Sequence, residues 1–127
     1  MNIYHLISKA STVALLSSCK QRVGCLLLKK GRIISVGFNK IQTSPKLPGY
    51  YSLHAECAAL SHSDGDTIIV VRLSRNGQMC MSHPCAQCLR KMLRKTIRTF
   101  YWIGWAHRVY KTNIRKGELA YDPLQIS

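Results

Sequence analysis

Two short motifs restrict the folds open to this chain more than anything else in it. His54-Ala55-Glu56 and Pro84-Cys85-Ala86-Gln87-Cys88 each stand where a helical pattern begins. Proline before the first cysteine suits a helix start, where its missing N–H costs nothing. Cys85 and Cys88 are three apart, so on a first helical turn both sulfurs point to one side. The free N–H groups of that turn favour anionic ligands. One imidazole and two sulfurs are three ligands for a zinc tetrahedron, and the fourth position stays open to water, as a hydrolytic zinc site requires. No fourth protein ligand is evident. Glu56, two residues from His54, is placed to take the proton of an acidified water. Each motif is weaker alone, since C-x-x-C also serves redox chemistry. Both motifs carry their meaning only if two helix starts meet at one point.

The rest of the chain supplies elements that can arrange this meeting. Residues 2–18 carry Ile3, Leu6, Ile7, Ala10, Val13 and Ala14 at helical spacing. Val23 to Leu28 and Arg32 to Phe38 flank Lys29-Lys30-Gly31, which predicts a hairpin. Residues 39–51, with two prolines and Gly49, read as a loop. A helix is expected over 53–62, capped by Ser52 and stopped at Asp64-Gly65-Asp66. Thr67 to Leu73 is a β-branched run, followed by a turn at Ser74-Arg75-Asn76-Gly77. In the helix after Pro84, Cys85, Cys88, Leu89, Met92 and Leu93 form one face, with Arg90, Lys91, Arg94 and Lys95 largely off it. Arg98 to Trp105 reads as a last aromatic strand. Beyond it only a short strand near Glu118 to Tyr121 is suggested. The order helix, hairpin, helix, strand, helix, strand points to an α/β fold, a mixed sheet covered by helices, in one domain spanning residues 1–127.

Charge bears on the partner. The chain of 127 residues holds 19 Lys and Arg against 5 Asp and Glu, a formal net charge of +14. Such a balance attracts polyanions and points to a nucleic acid or a phosphorylated substrate. Residues 1–18 lack a charged leading region, and polar residues interrupt their apolar stretch, so no signal peptide is expected. No run approaches the ~18 apolar residues of a membrane span. A cytoplasmic, reducing compartment is therefore expected, where clustered cysteines bind metal more often than they pair. Cys19, Cys25, Cys57 and Cys80 are read as core or near-core thiols.

The signature H-x-E followed by P-C-x-x-C resembles that of the zinc-dependent cytidine and deoxycytidylate deaminase superfamily. The likeness runs over about residues 2–105. It includes Cys19-Lys20-Gln21-Arg22-Val23-Gly24, which is similar to the entry of the family's first strand, and Gly37-Phe38-Asn39, similar to its Gly-aromatic-Asn. Ser82-His83-Pro84-Cys85 completes it. The resemblance implies a cytidine-deaminase-like three-layer α/β/α fold with a mixed sheet of about five strands. It implies zinc on His54, Cys85 and Cys88, Glu56 as proton shuttle, and Asn39 as a contact to sugar or base. Because few residues follow Trp105, the fifth strand is expected to be antiparallel or absent. Homodimerisation is implied by resemblance alone.

The substrate expected is cytosine in single-stranded DNA or RNA. The charge suits many phosphates, and exposed rings beside cations hold unpaired bases. Phe100 and Trp102 are assigned to the core; Trp105, His107 and Tyr110 are candidate substrate contacts, as are Ser82 and Lys40. The segment 40–52, with Lys40, Lys46, Tyr50 and Tyr51, is read as lining a strand channel or a site for one phosphate. A deaminase of free dCMP, an adenine deaminase of tRNA, and a nucleic-acid-binding module with structural zinc stay open as alternatives.

Overall fold

The computed structural model describes residues 2–43, 50–60, 64–115 and 118–124, without the side chains of 41–43, 50–53, 57 and 118–124. Helix α1 (Ile3–Ala14) leads into strands β1 (Arg22–Lys29) and β2 (Arg32–Phe38), then β3 (Lys40–Thr43), β4 (Tyr50–Leu53) and helix α2 (Ala55–Leu60). Strands β5 (Thr67–Leu73) and β6 (Met79–Cys80) precede helix α3 (Ala86–Leu93). Strand β7 (Thr99–Ile103), a 3₁₀ turn at Trp105–His107, β8 (Val109–Arg115) and β9 (Glu118–Leu124) complete it.

The main sheet runs β2-β1-β5-β7-β8-β9, with the two-residue β6 attached to β5. Only the β5–β7 pair is parallel, so the sheet is mixed. Alternation along the strands sorts side chains to two faces. Leu26, Leu28, Ile69, Val71 and Ile103 pack on Leu6, Ile7, Ala10 and Ala14 of α1. Cys25, Leu27, Ile68, Val70, Phe100 and Trp102 pack on Ala55, Ala59 and Leu60 of α2 and on Cys88 and Met92 of α3. This is the expected three-layer α/β/α arrangement. Cys25, Phe100 and Trp102 are core residues, as read from the sequence; Leu93, expected on the buried face of α3, is exposed.

The β1–β2 hairpin turns through Lys30 and Gly31, both at positive φ, which suits a two-residue turn between twisted strands. At Gly37 a Cβ would run into the backbone of Ala55 and Ala59, so β2 and α2 approach closely only because this residue has no side chain. That approach fixes α2, and with it His54 and Glu56, against the sheet.

Three expectations need correction. Residues 39–51 are not simply a loop: β3 and β4 pair antiparallel, Lys40 opposite Leu53. Ser52, expected as a helix cap, lies in β4. The aromatic strand is followed by two strands, not one: β8, which was not expected, pairs antiparallel with β7, and β9, which contains the suggested segment Glu118 to Tyr121, pairs antiparallel with β8. The fifth strand is thus present and antiparallel. Strand β8 shows little apolar alternation because its register is held by β7 and β9 rather than by its own sequence. No helix among the described residues is long and apolar enough to cross a membrane.

Candidate functional site

Both motifs open helices on the same face of the sheet. His54 precedes α2, and its carbonyl accepts from the Ala58 N–H at 3.0 Å, so it caps the helix start. Cys85 occupies the equivalent place on α3, its carbonyl accepting from Leu89 N–H at 2.9 Å. The strands beneath bring the two starts together. His54 Nδ1 lies 3.4 Å from Cys85 Sγ and 3.2 Å from Cys88 Sγ. All three ligand atoms lie within 4.8 Å of one another. A tetrahedral zinc with sulfur at about 2.3 Å and nitrogen at about 2.0 Å sets S···N at about 3.5 Å, so the donor set fits the ion. Among the described residues no other group of His, Cys, Asp or Glu is so placed.

Glu56, at 5% exposure, is buried beside this cluster. Burial pushes its carboxyl above the usual carboxylate range. Hydrogen bonds from its own backbone N–H and from the Cys88 thiol, and the nearby His54 and His83, oppose that shift without cancelling it. It is not part of the three-atom cluster, which suits a carboxyl that moves protons rather than one that binds metal.

A cavity of about 220 Å³ opens over the cluster, lined among others by Asn39, His54, Glu56, Ser82 and Cys85. Asn39 is locked in place: its Oδ1 accepts from Val23 N–H at 2.8 Å and its Nδ2 donates to the Gln21 carbonyl at 2.7 Å. One N–H and one lone pair of that amide remain for a ligand.

The matching family is described as the cytidine and deoxycytidylate deaminase zinc-binding region, and the match spans residues 2–103. This chain belongs to the cytidine and deoxycytidylate deaminase family. Solved structures agree on the fold. A cytidine deaminase from Burkholderia pseudomallei is 20% identical, with 89% of this chain and 93% of that one covered and a TM-score of 0.66. A dCMP deaminase from the cyanophage S-TIM5 is 21% identical, covering 75% and 76%, with a TM-score of 0.55. A cytidine deaminase from Mycobacterium tuberculosis is 22% identical, covering 79% and 84%, with a TM-score of 0.54. Among curated proteins no match was found. Zinc is the cofactor of this deaminase family, and His54, Cys85 and Cys88 are positioned to bind it.

The other sequence-derived candidates fall in different places. Ser82 lines the cavity but is itself buried, and its hydroxyl serves the fold: it donates to the Val70 carbonyl and accepts from Ile103 N–H, each at 2.7 Å. Trp105 and Tyr110 lie in an adjoining cleft of about 420 Å³ with Met81, His83 and Trp102. His107 is exposed at positive φ and lines neither space. Lys40 sets its ammonium 4.8 Å from the Phe38 ring centre and does not line the cavity. Lys46 lies outside the described residues, as do the side chains of Tyr50, Tyr51 and Cys57.

Sequence reasoning missed Arg72, Gln21 and His83, which line the same cavity. A signal for Arg72 was present: it is the sole charge in the otherwise apolar run Thr67 to Leu73.

Proposed function

We propose that this chain deaminates cytosine to uracil within single-stranded polynucleotide, DNA or RNA, acting as one domain. The observation that carries the reading is the aromatic cleft beside the cavity. Met81 and His83 border both spaces, so the two are contiguous. Tyr110 stacks on Trp102 at 4.7 Å, and Trp105 stands edge-on to Tyr110 at 5.9 Å while 66% exposed. A monomer substrate fills the first space with its base and has no second ring for the other. A strand has one, and base–aromatic stacking is how unpaired bases are held. The groove along α3 lined by Gln87, Arg90, Lys91, Arg94 and Lys95 adds cations for a polyanion. The Lys95–Asp64 ion pair, at 3.7 Å, is the one found among the described residues.

In this reading His54, Cys85 and Cys88 hold zinc. Bound zinc supplies Lewis acidity that lets water lose a proton near neutral pH. Glu56 accepts that proton at its carboxylate as the water oxygen adds to the ring carbon bearing the amine. It delivers that proton to the ring nitrogen, then takes the remaining proton of the added oxygen and passes it to the departing amino group, so cytosine and water become uracil and ammonia. A buried carboxyl beside the ligand cluster suits both halves of this work. Asn39 orients the sugar or base. Burial of Glu56 beside the ligands weighs against a purely structural metal, which needs no such carboxyl.

A second reading is a deaminase of free deoxycytidylate. The modest volume of the cavity and the likeness to the dCMP deaminase of a cyanophage favour it. The test offers zinc-loaded protein a cytosine-containing single-stranded oligonucleotide in DNA and RNA form, the DNA duplex, tRNA and dCMP, and reads conversion to uracil. Conversion in single strands is expected, falling steeply as salt rises. Trp105→Ala is expected to weaken it by about 5- to 100-fold, the worth of one stacked base. Turnover of dCMP alone overturns the polynucleotide reading.

A further inference from the structure

Arg72 is a guanidinium set in the reaction cavity with no acid among the described residues to answer it. It lies on β5 two residues beyond Val70, and so on the face that carries α2, α3 and the metal cluster. It lines the cavity with Asn39, His54 and Glu56. Its Nε donates to Gln21 Oε1 at 2.9 Å, which fixes the plane of the fork. The same Gln21, through its backbone carbonyl, holds Asn39 at 2.7 Å. One residue therefore registers Arg72 against Asn39. No carboxylate pairs with Arg72 among the described residues.

A half-buried cation costs free energy unless a partner answers it. The cytosine ring, with Glu56 handling its protons, offers no anion. The anion must come from elsewhere on the substrate. We infer that Arg72, oriented by Gln21, is the specificity residue that binds the substrate's phosphate while its base lies over the metal cluster. The two terminal guanidinium nitrogens suit two phosphate oxygens at once. The inference rests on the deaminase reading for the position of the base. A terminal phosphate of a mononucleotide and a phosphodiester of a strand present the same chemistry.

The test compares wild type, Arg72→Gln and Arg72→Lys as full-length, zinc-loaded protein, on deoxycytidine, dCMP and a trinucleotide with a central deoxycytidine. The quantity read is the ratio of kcat/KM for each phosphate-bearing substrate to that for deoxycytidine. Arg72→Gln is expected to lower it by about 10- to 100-fold, carried by KM, with part restored by Arg72→Lys. Collapse for dCMP alone identifies a terminal phosphate as the ligand; collapse for the trinucleotide identifies the diester. A uniform loss on all substrates leaves the ratio intact and overturns the inference. Calorimetry of the products deoxyuridine, dUMP and the uracil trinucleotide keeps this claim separate from turnover. Tighter binding of a phosphate-bearing product that is lost in Arg72→Gln sustains the inference even if no deamination is seen, an outcome that would defeat the functional reading instead. Equal binding of all three products by wild type overturns it.

Discussion

Replacing Ser82 with alanine tests how the second motif is held in place. Strand β5 pairs with β7 only as far as Ile69 opposite Tyr101. Beyond that point Ser82 stands in for the missing strand. Its N–H donates to the Ile103 carbonyl at 2.9 Å, and its hydroxyl accepts from Ile103 N–H while donating to the Val70 carbonyl. Ile103 and Val70 are buried, so water does not replace a lost partner. Ser82→Ala leaves the Ile103 N–H unsatisfied, at about 1–3 kcal/mol, and removes a second bond worth about 0.5–1.5 kcal/mol. The sum is about 1.5–4.5 kcal/mol, or roughly 5–18 °C in Tm for a chain of this size. Urea unfolding of the zinc-loaded protein reads it as a lower midpoint at unchanged slope. Because Cys85 follows only three residues on, zinc affinity is expected to weaken with stability, while turnover per zinc-loaded molecule changes little. A variant of wild-type stability with lost turnover would refute this reasoning and return Ser82 to the substrate.

Glu56→Gln is expected to lower turnover about 10²–10⁴-fold with zinc still bound, read by activity and metal analysis together. The same variant bears on stability without metal. The folded-state affinity of Glu56 for its proton is raised by burial, so wild-type stability falls as pH rises from the ordinary carboxyl range through the raised value. In chelator, Glu56→Gln should therefore unfold at higher denaturant than wild type at neutral pH, and lose that advantage in acid. Asp66 carries the opposite sign: the Lys30 backbone N–H holds its carboxyl below the usual range, against partial desolvation and with help from the Thr67 hydroxyl and the nearby Arg98 and Lys29. Its stabilisation is present above the unfolded carboxyl pKa and is lost as pH falls through the folded one. Asp66→Asn should thus be less stable than wild type at pH 7, with the gap closing in acid unfolding curves.

The metal ligands were legible in the sequence because their chemistry is local: residue types at short spacing, each at a helix start. The β1–β2 hairpin and β5 were legible for the same reason, through a turn glycine and an unbroken apolar run. Strand β8 was not. Thr112 in its middle is fully buried and accepts from Trp102 Nε1 at 3.0 Å, a partner ten residues away across the sheet. Lys111 and Asn113 beside it blur any alternation. Strands β3 and β4 hide similarly behind prolines and glycine in their connection. Ser82 was picked out as a substrate contact because position beside the cysteines is visible in sequence, whereas the direction of a hydroxyl is not. Arg72 was passed over because only the folded sheet shows which face a strand residue takes.

X-ray absorption at the zinc edge of the full-length protein, with metal content measured on the same sample, addresses the central claim. One zinc per chain is predicted, with two sulfur neighbours at about 2.3 Å and the remaining neighbours nitrogen or oxygen at about 2.0 Å. Cys85→Ser and Cys88→Ser should each remove one sulfur. A chain that takes up no zinc, or an ion with more than two sulfur neighbours, would contradict the account.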